Sequence, residues 1–436
     1  MFNYIRQHAA YVISRLGVVF LVFFAGLSLG VLSWQPAPLL REVINSAREL
    51  KGNIINSLSD TPQEHLLTRS HPGNGVVISD PARMQPGVTF LAGLFGNRLG
   101  FRLYAEDGTL LHEWPIDFFT VAPDEMRHKF HALMHGTHLY ENGDVVANLV
   151  ERGTLRFDAC GKVLWRNHEQ THHSIHVDDA GVIWAPSRGP MYEEPGITRN
   201  PFPFDTIKTF NPDTGQQLHE INLVKTLVDS GLTGLVQSSN RTPTDLIHLN
   251  DVEILDRDLA PAFPMFKAGD ILLSSRALQQ LWVLDGTDFT IKWWFGGPTH
   301  GQHDPDFNAD GTITLLDNGA SGNPSEKNGF IGKLGGSRIL SIDPATKTFR
   351  TLYKSDAKNT FYTNQRGKHQ LLANGNILIA ETDAGRAFEV TPNGDVVWSF
   401  VNGWDETRVG WVMDAARYPA SYAAIADQNC DSSTAN

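Results

Sequence analysis

The chain has 436 residues, 41% of them hydrophobic and 19% charged, enough for a large core and as compatible with one long all-β domain as with several smaller ones. Its 36 lysines and arginines stand against 48 aspartates and glutamates, a formal net charge of -12 with no basic cluster. A nucleic-acid partner is not expected, because phosphate contacts need concentrated positive charge.

The amino terminus reads MFNYIRQHAAYVISRLGVVFLVFFAGLSLGVLSW, and its residues 16–34 carry no charge. That run is close to the ~20 residues a helix needs to cross a bilayer. Arg6 and Arg15 precede it and Trp34 ends it. The expectation is an uncleaved transmembrane signal anchor over residues 1–35 in the inner membrane, with the arginines cytoplasmic and the rest periplasmic. A cleaved signal peptide is the alternative, but the run is long for one and SLGVLSW offers no small-x-small site. Pro36 and Pro38 mark the exit, and residues 36–86 are expected to form a helical stalk and linker. Leu40, Val43, Ile44, Ala47 and Leu50 fall on one helical face, and residues 57–86 are rich in Ser, Pro, Asp and Gly.

From Val88 the pattern changes to short strands punctuated by Gly, Asp and Asn. Six units are predicted, at 88–115, 135–168, 173–222, 246–296, 303–355 and 369–402, with insertions at 186–206 and 256–268. Such spacing suits a propeller of four-stranded blades. The fold class expected is therefore all-β, a six-bladed β-propeller over residues 87–410, with a tail at 411–436. RVGWVMDAARYP within that tail either closes the ring or covers a face. Unpaired thiols are the expectation for Cys160 and Cys430, which make no zinc or iron–sulfur spacing. A disulfide between them is the alternative that an oxidising compartment permits.

The repeat aligns histidines as well as turns. His135, His173 and His303 each precede a turn glycine (Gly143, Gly181, Gly311) by eight residues, His369 precedes Gly375 by six, and His248 opens the equivalent strand. If the blades radiate from an axis, these positions converge on the central channel. Any one of them also suits a plain turn-capping role. Arg188, Arg276 and Arg386 follow on the next strands. An arginine aimed at the channel needs an anion, and Arg276 is the best candidate, whereas Arg386 also suits an ordinary salt bridge. Asp251, Asp304, Asp317 and Asn318 are placed to orient imidazoles or to close turns.

The sequence lacks HExxH, a closely spaced carboxylate triad and a cysteine ligand, as well as a GxSxG elbow or a phosphate-cradling loop. No metal or cofactor is expected. Histidine with arginine fits transfer of a small anionic group, since imidazole is a nucleophile at neutral pH and guanidinium matches paired anionic oxygens.

Four segments occur in order: HLNDV from His248, SSR ending at Arg276, WWFGG from Trp293, and GQH ending at His303. With them the sequence resembles the arylsulfate sulfotransferases, bacterial six-bladed propellers that move sulfate from a phenyl sulfate to a phenol without a nucleotide donor. The resemblance covers roughly residues 130–400. It implies an aryl sulfate donor and a phenolic acceptor as partners, and His303 as a nucleophile that becomes transiently sulfurylated. It implies that His248 and Arg276 hold the sulfuryl oxygens, and that His173, beside His172, is the remaining active-site histidine. Arg188, His369 and Trp294 are the expected substrate contacts, with Trp293, Phe307 and Tyr362 as further aryl-pocket candidates for which sheet packing is the competing reading. The anchor stands where members of the family carry an amino-terminal β-sandwich. A non-catalytic binding or scaffold propeller, and an ester hydrolase, remain alternative functions.

Overall fold

The computed structural model describes residues 17–28, 54, 60–121, 130, 132–196, 202–239, 246–320, 334–428 and 430. Six antiparallel sheets form the blades of a β-propeller. Blade 1 consists of Val88–Phe95, Arg98–Tyr104 and Leu110–Glu113, with Val412–Tyr418 as its inner strand. The tail therefore closes the ring, pairing Tyr418 with Val88 and Val412 with Gly93. The inner strands of blades 2 to 6 are Met134–Leu139, His176–Val177, Leu249–Ile254, His303–Phe307 and Lys368–Leu371. Each is followed outward by three strands in chain order.

A recurrent turn explains the regular spacing. After the inner strand, the amide of Tyr140 bonds the carbonyl of Asp144 and the amide of Gly143 bonds that of Tyr140. The same pair of bonds links Asn308, Gly311 and Thr312. The glycines sit at φ of 87° and 80°, a left-handed conformation that only glycine adopts without strain. Between blades, apolar side chains interdigitate. Phe263 and Phe266, in the segment expected as an insertion at 256–268, pack with Trp293 and Phe307. Each buried phenylalanine contributes about 2–3 kcal/mol.

Three expectations change. Much of the segment expected as an insertion at 186–206 lies within the sheet of blade 3, in the paired strands Ile183–Tyr192 and Phe202–Phe210. The stretch expected as a linker is partly built into the propeller. Leu66–Thr68 pairs with Arg408–Gly410, and Gly75–Ser79 adds a fifth strand to the outer edge of blade 6. Cys160 and Cys430 form a disulfide that joins the tail to blade 2 across 270 residues of sequence.

Of the expected anchor, residues 17–28 are helical with exposed apolar side chains, and no described helix is long and apolar enough to cross a membrane. The remainder of the anchor and, apart from Ile54, the expected stalk helix lie outside the described residues.

Candidate active site

The channel is shaped by irregularities in its innermost strands. Register shifts fall between Val412 and Asp414, Met134 and Thr137, Leu249 and Asp251, and His303 and Asp306. A bulge leaves an unpaired residue and re-aims its side chain. The residues inside these four shifts include Met413, His135, Asn250 and Asp304, and all four line a cavity of about 30 Å³ at the axis. Blade 3 adds His173 and Ser174 from just before its short inner strand. Blade 6 adds Arg366, Gly367 and Lys368, and blade 5 adds His303.

His303 is 6% exposed, and its environment fixes its tautomer. Nδ2 of Asn318 donates to the carbonyls of Thr363 and Arg366, each at 2.8 Å, so Oδ1 must face the imidazole. His303 Nδ1 lies 2.6 Å from that Oδ1 and 2.9 Å from the Gly301 carbonyl. Both partners accept, so Nδ1 carries the proton and the lone pair is on Nε2. Burial, then the Arg276 charge, push the His303 pKa down to about 3, against the opposing pull of the Asn318 and Gly301 bonds. The ring is neutral at physiological pH and nucleophilic at Nε2.

His173 is the hub of the imidazoles. Its ring centroid lies 4.8 Å from that of His135, 5.4 Å from His248 and 6.3 Å from His303. Its Nδ1 is 2.8 Å from His172 Nδ1. Burial holds both His173 and His135 well below the ordinary imidazole range, with neighbouring rings adding to it. His248 is held by Asp205, whose carboxylate accepts from the amides of His248 at 3.1 Å and Leu249 at 3.3 Å. The amide of Arg276 in turn bonds the His248 carbonyl at 3.0 Å. His173, His248, Asp304 and Arg366 have φ of 56°, 50°, 58° and 66°. Left-handed backbone at non-glycine residues costs on the order of 1–3 kcal/mol each and clusters at functional sites.

Buried carboxylates share the cavity with the imidazoles. Asp304 receives Lys368 Nζ at 2.7 Å, the His369 amide at 2.5 Å and His369 Nδ1 at 3.0 Å. Burial alone would raise its pKa, but Lys368 and His369 hold it well below the usual carboxylate range. Burial, reinforced by the Asp304 charge and opposed by Lys368, pushes Asp251 up to about 7. Asp304, Asp306 and His369 bring one donor atom each within 4.8 Å of one another, the donor set a cation would use. Lys368 already supplies positive charge to that group.

The expected residues separate into two sets. His303 and His173 line the cavity, the His248 ring packs against His173, and Arg276 acts electrostatically on His303. His369 lies behind Asp304, with Nε2 taken up by Thr314 Oγ1 at 2.8 Å. Arg188 pairs with Glu151 at 2.8 Å. Trp294 is on the outermost strand of blade 4, 48% exposed, with the Lys347 ammonium 4.6 Å from its ring centre. Arg386 meets Glu381 and His71 in blade 6. Trp293, Phe307 and Tyr362 are buried, the first two in the core between blades 4 and 5. Sequence reasoning passed over Arg366, Lys368, Asn250 and Ser174 as cavity residues. The available signal was position: the residues just before an inner strand reach the axis in blades 3 and 4, and Arg366 holds the corresponding place in blade 6.

A six-bladed propeller with neutral histidines and arginine at its axis defines the class. The family model described as Arylsulfotransferase (ASST) matches residues 137–403, and the chain belongs to that family. No curated protein gives a significant match. Among solved structures, the chain is similar to a protein of unknown function from Bacteroides caccae at 12% identity and a TM-score of 0.46, covering 72% of this chain and 94% of that one. It is also similar to TolB from Acinetobacter baumannii at 11% identity and a TM-score of 0.44, covering 76% and 67%.

Proposed function

We propose that the chain is an aryl-sulfate sulfotransferase that moves a sulfuryl group from an aryl sulfate to a phenol through a sulfohistidine at His303. The observation that carries this reading is the buried, neutral His303 ring, fixed by Asn318 so that Nε2 keeps its lone pair. In the first half-reaction Nε2 attacks sulfur, the S–O bond to the aryl group breaks, and its electron pair leaves on the aryl oxygen. In the second, a phenol oxygen attacks sulfur, the S–Nε2 bond breaks, and its pair returns to Nε2. The Nδ1 proton stays on the Asn318 hydrogen bond throughout. Arg276 and His248 neutralise and orient the sulfuryl oxygens. Phenols have a pKa near 10, so the acceptor must lose its proton to a neighbouring group as it reacts.

The charge-free run at residues 16–34 supports a single-pass anchor, and the Cys160–Cys430 disulfide supports an oxidising, periplasmic location for the propeller. One experiment tests both parts. Membranes washed in alkaline carbonate should turn over para-nitrophenyl sulfate only when a phenol is added, and intact spheroplasts should do so from their outer face. Turnover without phenol contradicts a transferase, and activity confined to the soluble fraction contradicts the anchor.

A further inference from the structure

His135 and Arg366 face the same cavity as His303 but stand outside the sulfuryl machinery described above. Both ring nitrogens of His135 are buried and neither has a hydrogen-bond partner among the described residues. A neutral imidazole carries one N–H and one lone pair, and leaving either unsatisfied costs roughly 1–3 kcal/mol. Buried polar groups left unsatisfied are rare enough to require an explanation. The bulge between Met134 and Thr137 holds the ring there, and it lies two residues before the segment matched by the family model.

Arg366 is the second unusual group. Its guanidinium lies 4.6 Å from the centre of the Trp411 ring, and no ion pair to it occurs among the described residues. Burial lowers its pKa, Asp383 opposes that, and the Arg276 charge adds to it, so the two guanidinium groups share one neighbourhood. Its carbonyl is gripped by Nδ2 of Asn318, the residue that also orients the nucleophile. The strained φ of 66° is thereby tied to His303. Electrostatically, Arg276 acts directly on His303, whereas Arg366 acts on His135. Two cations line the cavity: Lys368 is paired with Asp304, whereas Arg366 shares the lining with the His135 imidazole and has no carboxylate bonded to it among the described residues.

We propose that His135 and Arg366 form the subsite for the phenol oxygen, binding it as a phenolate in both half-reactions. This rests on the sulfotransferase reading of His303. In the first half-reaction the electron pair of the breaking S–O bond comes to rest on an oxygen stabilised by the Arg366 guanidinium and the His135 N–H. In the second, the acceptor phenol, its acidity raised by the same two donors, gives its O–H proton to water and occupies the subsite as the phenolate. The phenolate attacks sulfur as the S–Nε2 bond of His303 breaks, and the departed phenolate takes up a proton from water. Overall, one proton moves from the acceptor phenol to the donor's phenol.

The test uses the full chain and two donors, para-nitrophenyl sulfate with an acidic leaving phenol and para-methylphenyl sulfate with a weakly acidic one. Sulfuryl loading of His303 is followed in wild type, His135→Gln, Arg366→Gln and the conservative Arg366→Lys. Losing a preorganised group at a developing oxyanion costs about 100-fold. The glutamine variants should lose about that much with the methylphenyl donor and about tenfold less with the nitrophenyl donor, whose leaving group needs little help. Arg366→Lys should restore part of the loss with the methylphenyl donor alone. An equal loss with both donors overturns the inference and assigns these residues to folding or to the sulfuryl group. No loading of wild-type His303 by either donor overturns the sulfotransferase reading itself and the subsite with it.

Discussion

Blades 5 and 6 present a histidine at the start of their inner strands, and the two have opposite fates. His303 has one nitrogen committed, to Asn318 and Gly301, and turns the rest of its ring to the cavity. His369 has both committed, Nδ1 to Asp304 and Nε2 to Thr314. The two rings come from equivalent elements and both residues are buried, at 6% and 5% exposure. Chemical availability therefore follows from what the neighbouring strand supplies, not from residue type or burial. Asn318 gives His303 a single acceptor and leaves a lone pair unused. Asp304 and Thr314 leave His369 nothing to react with.

The contrast can be broken from either side. Asn318→Ala removes the acceptor that fixes the His303 tautomer, and the transfer rate should fall roughly tenfold to a hundredfold with little change in KM. An unchanged rate would mean that the Gly301 carbonyl orients the ring alone. His369→Gln is the converse. It deprives Asp304 of one partner and should lower stability by about 1–3 kcal/mol in denaturant unfolding. The rate of the folded fraction should stay within about threefold of wild type, since the ring offers no free nitrogen for substrate. A large loss of rate with unchanged stability would place His369 in the reaction after all.

Much of this organisation is legible in the sequence, because it rests on short-range signals. The turn glycines, at positive φ, mark where each inner hairpin reverses, and His135, His173 and His303 each stand eight residues before one although the inner strands run from two to six residues. Asn318 is recognisable as a residue suited to orienting an imidazole. The register shifts are not recognisable, since one extra residue in a strand reverses which side chains face the axis and leaves no compositional trace. Asn250 and Met413 reach the cavity through such shifts. Trp294 illustrates the opposite error. Alternation along its strand buries Trp293 at 3% exposure and turns Trp294 outward, on the strand farthest from the channel. The disulfide partners are 270 residues apart in sequence, and only closure of the ring by Val412–Tyr418 brings the tail back to blade 2.

The central claim is that Nε2 of a neutral His303 accepts the sulfuryl group. It is tested by mixing the protein with labelled aryl sulfate and no acceptor, then mapping the label by mass spectrometry across a range of pH. With its pKa held near 3, the ring stays unprotonated through the mildly acidic range. Label should accumulate on His303 at a rate that is level between about pH 5 and 7, and none should appear in His303→Ala. Label on another residue, or a loading rate that falls about tenfold per unit below about pH 6.5 as an ordinary imidazole requires, would contradict it.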